Sequence, residues 1–166
     1  MPHRTESGQT TPIRVLFVCL GNICRSPLAE YIVRQRAIER GFSGRFHLES
    51  AGTGEWHIGK GADRRMQQTA AAHDIDLAPH RASQITRSRI GQWDWFIAMD
   101  ATNRSDLLSM GANPDRTLMM RQFEHEGRTA DVPDPYYGGE EGFEEVFQLL
   151  RDNADALIDH LNRIHQ

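Results

Sequence analysis

The chain has 166 residues, 39% hydrophobic and 25% charged, which suits one globular domain with its own core and excludes two. A net charge of −4 with no basic stripe argues against nucleic acid as a partner, so any affinity for phosphate must be local. No apolar stretch approaches a membrane span and Met1 to Thr11 lacks the apolar segment of a secretory signal, so no membrane partner and a cytoplasmic location are expected.

Residues 1–12 read as a disordered N-terminal tail and residues 13–166 as the folded domain. Ile13 to Val18 is short, β-branched and almost wholly apolar, as a strand buried on both faces should be. Cys19 ends it, and after five residues come Arg25, Ser26 and Pro27. Pro27 suits the first turn of a helix running to Arg40 and stopped by Gly41. Phe46 to Ala51 predicts a second strand, Ala62 to His73 a second helix, and Trp93 to Met99 a third strand. Ala101 to Met110 follows as a helix ending at Gly111, then Thr117 to Met120 as a short fourth strand. Phe143 to Ile164 carries apolar residues at helical spacing. Strands alternating with helices predict an α/β domain, a parallel sheet covered on both faces, with ligands bound beyond the carboxyl ends of its strands.

Cys19 lies at such an end. A strand, a tight loop and a helix N-terminus direct backbone N–H groups and the positive end of a helix dipole into one small space, which suits a phosphate dianion. The same field favours a nucleophilic sulfur. Leu20, Gly21, Asn22, Ile23 and Cys24 form this cradle, and Arg25 adds a planar fork that matches two phosphate oxygens as a lysine cannot. Cys19 is therefore the candidate nucleophile for phosphoryl transfer. Ser26 has two readings, a hydroxyl donor to the Cys19 sulfur or a helix N-cap. Cys24 also has two, inert packing or a resolving thiol that captures oxidised Cys19 as a disulfide. Asp134, stiffened by Pro135, is either a simple turn residue or a proton donor. Trp56, Tyr136 and Tyr137 are loop aromatics that can wall a slot for a flat phenyl ring, deep enough to select phosphotyrosine over phosphoserine. With two cysteines and scattered histidines, no metal and no cofactor are expected, and the thiols are read as reduced.

Taken together, Cys19-x5-Arg25-Ser26-Pro27, Leu48-Glu49-Ser50-Ala51-Gly52-Thr53, Met99-Asp100 with Asn103, and Asp134-Pro135-Tyr136-Tyr137-Gly138 resemble the low-molecular-weight protein tyrosine phosphatases, in the family's motif order. The resemblance implies a four-stranded flavodoxin-like sheet in the order 2-1-3-4. It implies a phosphocysteine intermediate on Cys19, with Asp134 as general acid and then general base, and phosphotyrosine-containing proteins as substrates. It further implies that Asn22, Glu30 and His80 brace the phosphate loop, and that Tyr136 and Tyr137 are candidates for regulatory phosphorylation. Bacterial relatives often oppose a tyrosine kinase, which such a chain would then meet as a partner. One departure stands out, since Ser83 occupies the place of the family's usual arginine three residues after His80. Asp100, ending the third strand, reads as structural, bonding the phosphate-loop backbone.

Other readings stand beside this one. Gly54 to Gly61 is one residue short of a nucleotide-binding Gly-x4-Gly-Lys-Ser/Thr loop, and Asp100 could serve as a magnesium ligand, the outline of a small nucleotide kinase. Arsenate reductases on the same scaffold need further cysteines, and none follows Cys24. Phosphoarginine phosphatases on that scaffold carry threonine where Ile23 stands, so Ile23 favours phosphotyrosine.

Overall fold

The strand Ile13–Cys19 (β1) sits inside a four-stranded parallel sheet between Phe46–Gly52 (β2) and Trp95–Ala98 (β3), with Thr117–Met119 (β4) at the far edge. The order β2-β1-β3-β4 is the one the family resemblance implied. The computed structural model describes residues 3–4, 10–124, 130–136 and 138–166. Most of the expected tail lies outside these, and within it His3–Arg4 pairs antiparallel with Thr10–Thr11, apart from the main sheet. Tyr137 also lies outside the described residues.

Alternation along β1 explains why both its faces are apolar. Ile13, Val15, Phe17 and Cys19 join a core with Leu28, Ile32 and Val33 of α1 (Arg25–Glu39), Met66 and Ala70 of α2 (Arg64–Ala72), and Phe143, Phe147 and Leu150 of α4 (Glu140–Ile164). Leu16 and Val18 point the other way, into a second core with Phe96, Ile85 and Leu107 of α3 (Ala101–Ser109). Each fully buried Leu, Ile or Phe contributes about 1.5–3 kcal/mol, so the sheet is held from both sides. No helix among the described residues is long and apolar enough to cross a membrane.

Two helices start earlier than the sequence pattern predicts. α1 begins at Arg25 rather than Pro27, which stays within the first turn, where its missing N–H leaves no bond unmade. α4 begins at Glu140, and Glu140 and Glu141 complement its dipole in a polar first turn that carries no apolar periodicity. The strand expected from Trp93 begins at Trp95, because a short 3-10 turn over Arg87–Gln92 precedes it.

Register places the site. Cys19 pairs with Gly52, and Val18 with both Ala51 and Ala98, so three carboxyl ends finish level. The chain leaves β1 toward β2 on one side and later returns to β3 on the other, which opens a crevice at the end of β1.

Candidate active site

The loop from Cys19 to Arg25 closes around this crevice with its carbonyls held outward. Thr53 N donates to Cys19 O at 2.9 Å, Gly54 N to Leu20 O at 2.9 Å, His80 Nε2 to Asn22 O at 2.7 Å and Asp63 N to Ile23 O at 2.8 Å. No peptide bond here is cis, and in a trans peptide the N–H points opposite to the C=O. The N–H groups of Leu20, Gly21, Ile23 and Cys24 are therefore turned away from those four outer donors, as an anion cradle requires. Such close backbone approach needs Gly52, where a Cβ would lie 2.6 Å from Leu20 O.

Asn22 is the pivot of the loop. Fully buried and at φ +56°, it holds a conformation that Asn tolerates better than most residues. All four of its polar groups are engaged. Its backbone N–H donates to Cys19 Sγ at 3.2 Å, its carbonyl accepts from His80, its Oδ1 accepts from Ser83 N at 3.0 Å, and its Nδ2 donates to Ser26 Oγ at 2.8 Å. The Ser83 N–H can only donate, so it fixes which end of the amide faces Ser26. Ser26 Oγ then accepts from Asn22 and lies 2.9 Å from Cys19 Sγ, a contact in which the hydroxyl is the donor whenever the sulfur is a thiolate. Ser26 is the second residue of α1, not its cap, so the cap reading does not hold.

His80 is buried and serves as a neutral donor. Burial lowers its pKa below the ordinary value, and the bond to the Asn22 carbonyl opposes this only in part. Ser83, where the family's arginine is missing, still joins the loop, through its backbone N–H. Glu30 does not reach the loop. Its carboxylate accepts from Ser50 Oγ at 2.8 Å and from Arg34 Nη2, so it steadies β2 instead.

Arg25 is 4% exposed and gripped from behind, with Nη1 donating to Asp100 Oδ2 at 2.8 Å and to Val132 O at 3.0 Å. Burial works against its charge, but Cys19, Asp100 and Asp134 outweigh it and raise the pKa above the ordinary value. Asp100 thus holds the arginine side chain rather than the loop backbone expected from sequence, while its Oδ1 caps α3 by accepting from Asn103 N at 2.7 Å. On the opposite wall Asp134 Oδ2 lies 3.7 Å from Arg25 Nη2, and Asp134 Oδ1 accepts from Tyr136 N at 3.0 Å.

These residues line one cavity of about 410 Å³: Cys19 to Arg25 form its floor, and Trp56, His57, Asp134 and Tyr136 its walls. The Trp56 indole folds over Gly54, where any Cβ would collide with the ring at 2.0 Å. His57 was missing from the sequence-based site and packs over Gly21, where a Cβ would meet its ring at 3.0 Å. Its neighbour Trp56 was the available signal. Gly54 to Gly61 therefore forms a lip over the Cys19 pocket, and α2 starts only at Arg64. The nucleotide-loop reading fails on this placement, with Asp100 committed to Arg25. Cys24 is a buried part of that floor, and burial, reinforced by Asp63, Cys19 and Asp134, pushes its thiol far above the ordinary range.

An α/β sheet with a cysteine, an arginine and inward-turned backbone N–H groups at its switch point has the architecture expected of a thiol site for an anionic ligand. Residues 14–166 match the family described as low molecular weight phosphotyrosine protein phosphatase, and the chain belongs to that family. It is 39% identical to the low molecular weight protein-tyrosine-phosphatase YfkJ of Bacillus subtilis, over 93% of this chain and 99% of that protein. It is also 39% identical to low molecular weight protein-tyrosine phosphatase A of Mycobacterium bovis, over 89% of this chain and 91% of the relative. The crystal structure of YfkJ superposes with a TM-score of 0.87 at 38% identity, covering 96% of this chain and 100% of that one. A protein tyrosine phosphatase from Entamoeba histolytica, solved with Hepes in its active site, gives 0.85 at 33% identity, covering 93% and 99%.

Proposed function

We propose that this phosphatase hydrolyses phosphotyrosine in proteins in two displacements at phosphorus. The Cys19 thiolate attacks, an S–P bond forms, the P–O bond to the tyrosine breaks, and Asp134 gives its proton to the departing phenolate oxygen. Asp134 then takes a proton from water, the water oxygen bonds to phosphorus, and the S–P bond breaks to release phosphate and restore the thiolate. Arg25 and the inward N–H groups bear the charge on the phosphoryl oxygens through both steps. Ser26 donates to the sulfur as it leaves. The observation that carries this reading is Cys19 Sγ on the pocket floor, with Ser26 Oγ at 2.9 Å and Asn22 N at 3.2 Å, facing a wall that bears Asp134.

Trp56 and Tyr136, joined by His57, supply flat walls above that floor, which suits an aryl phosphate better than the short arm of phosphoserine. Cys24 is proposed as the resolving thiol, a role its protonated state slows but does not forbid. The reducing cytoplasm is the proposed compartment and phosphotyrosine proteins, including an opposing tyrosine kinase, the proposed partners. Hydrolysis of phosphotyrosine, phosphoserine and phosphoarginine in the presence of EDTA tests the assignment. Turnover of phosphotyrosine alone is expected, and a preference for phosphoarginine or loss of activity with EDTA would overturn it.

A further inference from the structure

The loop that carries Asp134 is held at two points, and only one belongs to the site described above. On its N-terminal side, Val132 O accepts from Arg25 Nη1 at 3.0 Å and Val132 N donates to Met99 O at 2.8 Å. On its C-terminal side, Tyr136 O accepts from Arg65 Nη2 at 3.0 Å, and Arg65 Nη1 approaches Gly138 O at 3.5 Å. Asp134 lies midway, two residues from each anchor. Tyr136 is gripped on both sides, because its N–H donates to Asp134 Oδ1 while its carbonyl accepts from Arg65.

Arg65 is itself fixed. Its Nε and Nη2 donate to the two oxygens of Asp63 at 3.2 and 3.1 Å, and its guanidinium lies over the Phe143 ring at 4.6 Å. Asp63 in turn reaches the phosphate loop, through the bond from its backbone N–H to Ile23 O at 2.8 Å. A continuous strut therefore runs from the floor of the pocket to the far end of the acid loop. The Arg65 side chain is 40% exposed and that of Asp63 11%, and the remaining guanidinium donors fork onto the loop carbonyls.

We propose that Arg65 is a positioning residue for proton transfer, fixing Tyr136 so that the Asp134 carboxyl stays at the pocket wall. The proposal rests on Asp134 being the general acid, and the experiment separates the two. Values of kcat/KM are measured across aryl phosphates of graded leaving-group pKa for the native enzyme, Arg65→Ala, Arg65→Lys, Asp134→Ala and the double variant Arg65→Ala with Asp134→Ala. Inorganic phosphate serves as the competitive probe of the cradle.

Arg65→Ala should lose about 10-fold on phenyl phosphate and less than about 2-fold on a nitrophenyl ester, a fraction of the roughly 10²- to 10⁴-fold that general acids contribute. Lysine lacks the planar fork and should not rescue the loss. Phosphate inhibition should stay within about 2-fold of native, since Arg25 and the N–H ring are untouched. In the Asp134→Ala background, removing Arg65 should add no further leaving-group dependence. A loss equal on all esters, weaker phosphate binding in proportion, or a further steepening without Asp134 would overturn the role of Arg65. Should Asp134→Ala alone leave the dependence unchanged, the acid assignment falls and the positioning role with it.

Discussion

Ser26→Ala removes one hydroxyl and disturbs two partners. Cys19 Sγ has two donors, Ser26 Oγ at 2.9 Å and Asn22 N at 3.2 Å, and the substitution deletes the nearer one. A hydrogen bond to a charged group contributes about 1.5–3 kcal/mol, so the sulfur becomes a poorer leaving group by about 10-fold or more. The second displacement bears this cost, because there the thiolate departs. Attack by the same sulfur on substrate is spared, since its loss of a donor raises the energy of the reactant. The other effect falls on Asn22, whose Nδ2 is left buried without its acceptor at a cost of about 1–3 kcal/mol, or about 2–4 °C in Tm for each kcal/mol. Rapid mixing with nitrophenyl phosphate reads both steps, as a burst of phenolate followed by a steady rate. Ser26→Ala should show a burst approaching one phenolate per site and a kcat lower by about 10-fold, with kcat/KM reduced much less. If kcat and kcat/KM fall together without a burst, Ser26 does not act on the departing sulfur.

Gly52→Ala places a methyl group 2.6 Å from Leu20 O, so the loop must shift at a cost of about 1–3 kcal/mol; vanadate affinity should fall with Tm, and unchanged affinity would refute the close approach. His80 has its pKa lowered from 6.5 in the fold, so the unfolded chain binds the proton first and stability is lost as pH drops below that value. Urea unfolding should show this decline weakened in His80→Gln, and parallel curves for the two proteins would exclude His80 as its source. Trp56→Ala should weaken a phosphotyrosine peptide about 3- to 10-fold while sparing inorganic phosphate; equal losses would make the indole a support for the fold rather than a wall of the slot.

The floor of the pocket was legible because a thiol and a guanidinium there each need a side chain of one kind at one place. Cys19 and Arg25 flank a loop between a strand and a helix, and β1 announces itself by an apolar run that only a two-sided core can absorb. What stayed hidden is carried by the backbone or by contacts distant in sequence. Ser83 binds Asn22 through its main-chain N–H, which any residue but proline would supply, so the missing arginine gave no hint that the link persists. The Asp100 side chain turned out to hold Arg25 from 75 residues away, and Arg65 holds Tyr136 from 71, separations that no local pattern encodes. Glu30 was placed at the loop by resemblance, yet one turn of helix carries it to Ser50 and Arg34 instead. His57 carries no sequence signal of its own, because a histidine in a polar loop has no periodicity to mark it.

Acid-quenched single turnover of a labelled aryl phosphate shows whether the phosphoryl group passes through Cys19. The protein should carry one phosphate as a thiophosphate ester on the peptide containing Cys19, and Cys19→Ser should bind vanadate yet yield no such peptide. Label on any other residue, or turnover in Cys19→Ser comparable to native, would exclude Cys19 as the nucleophile.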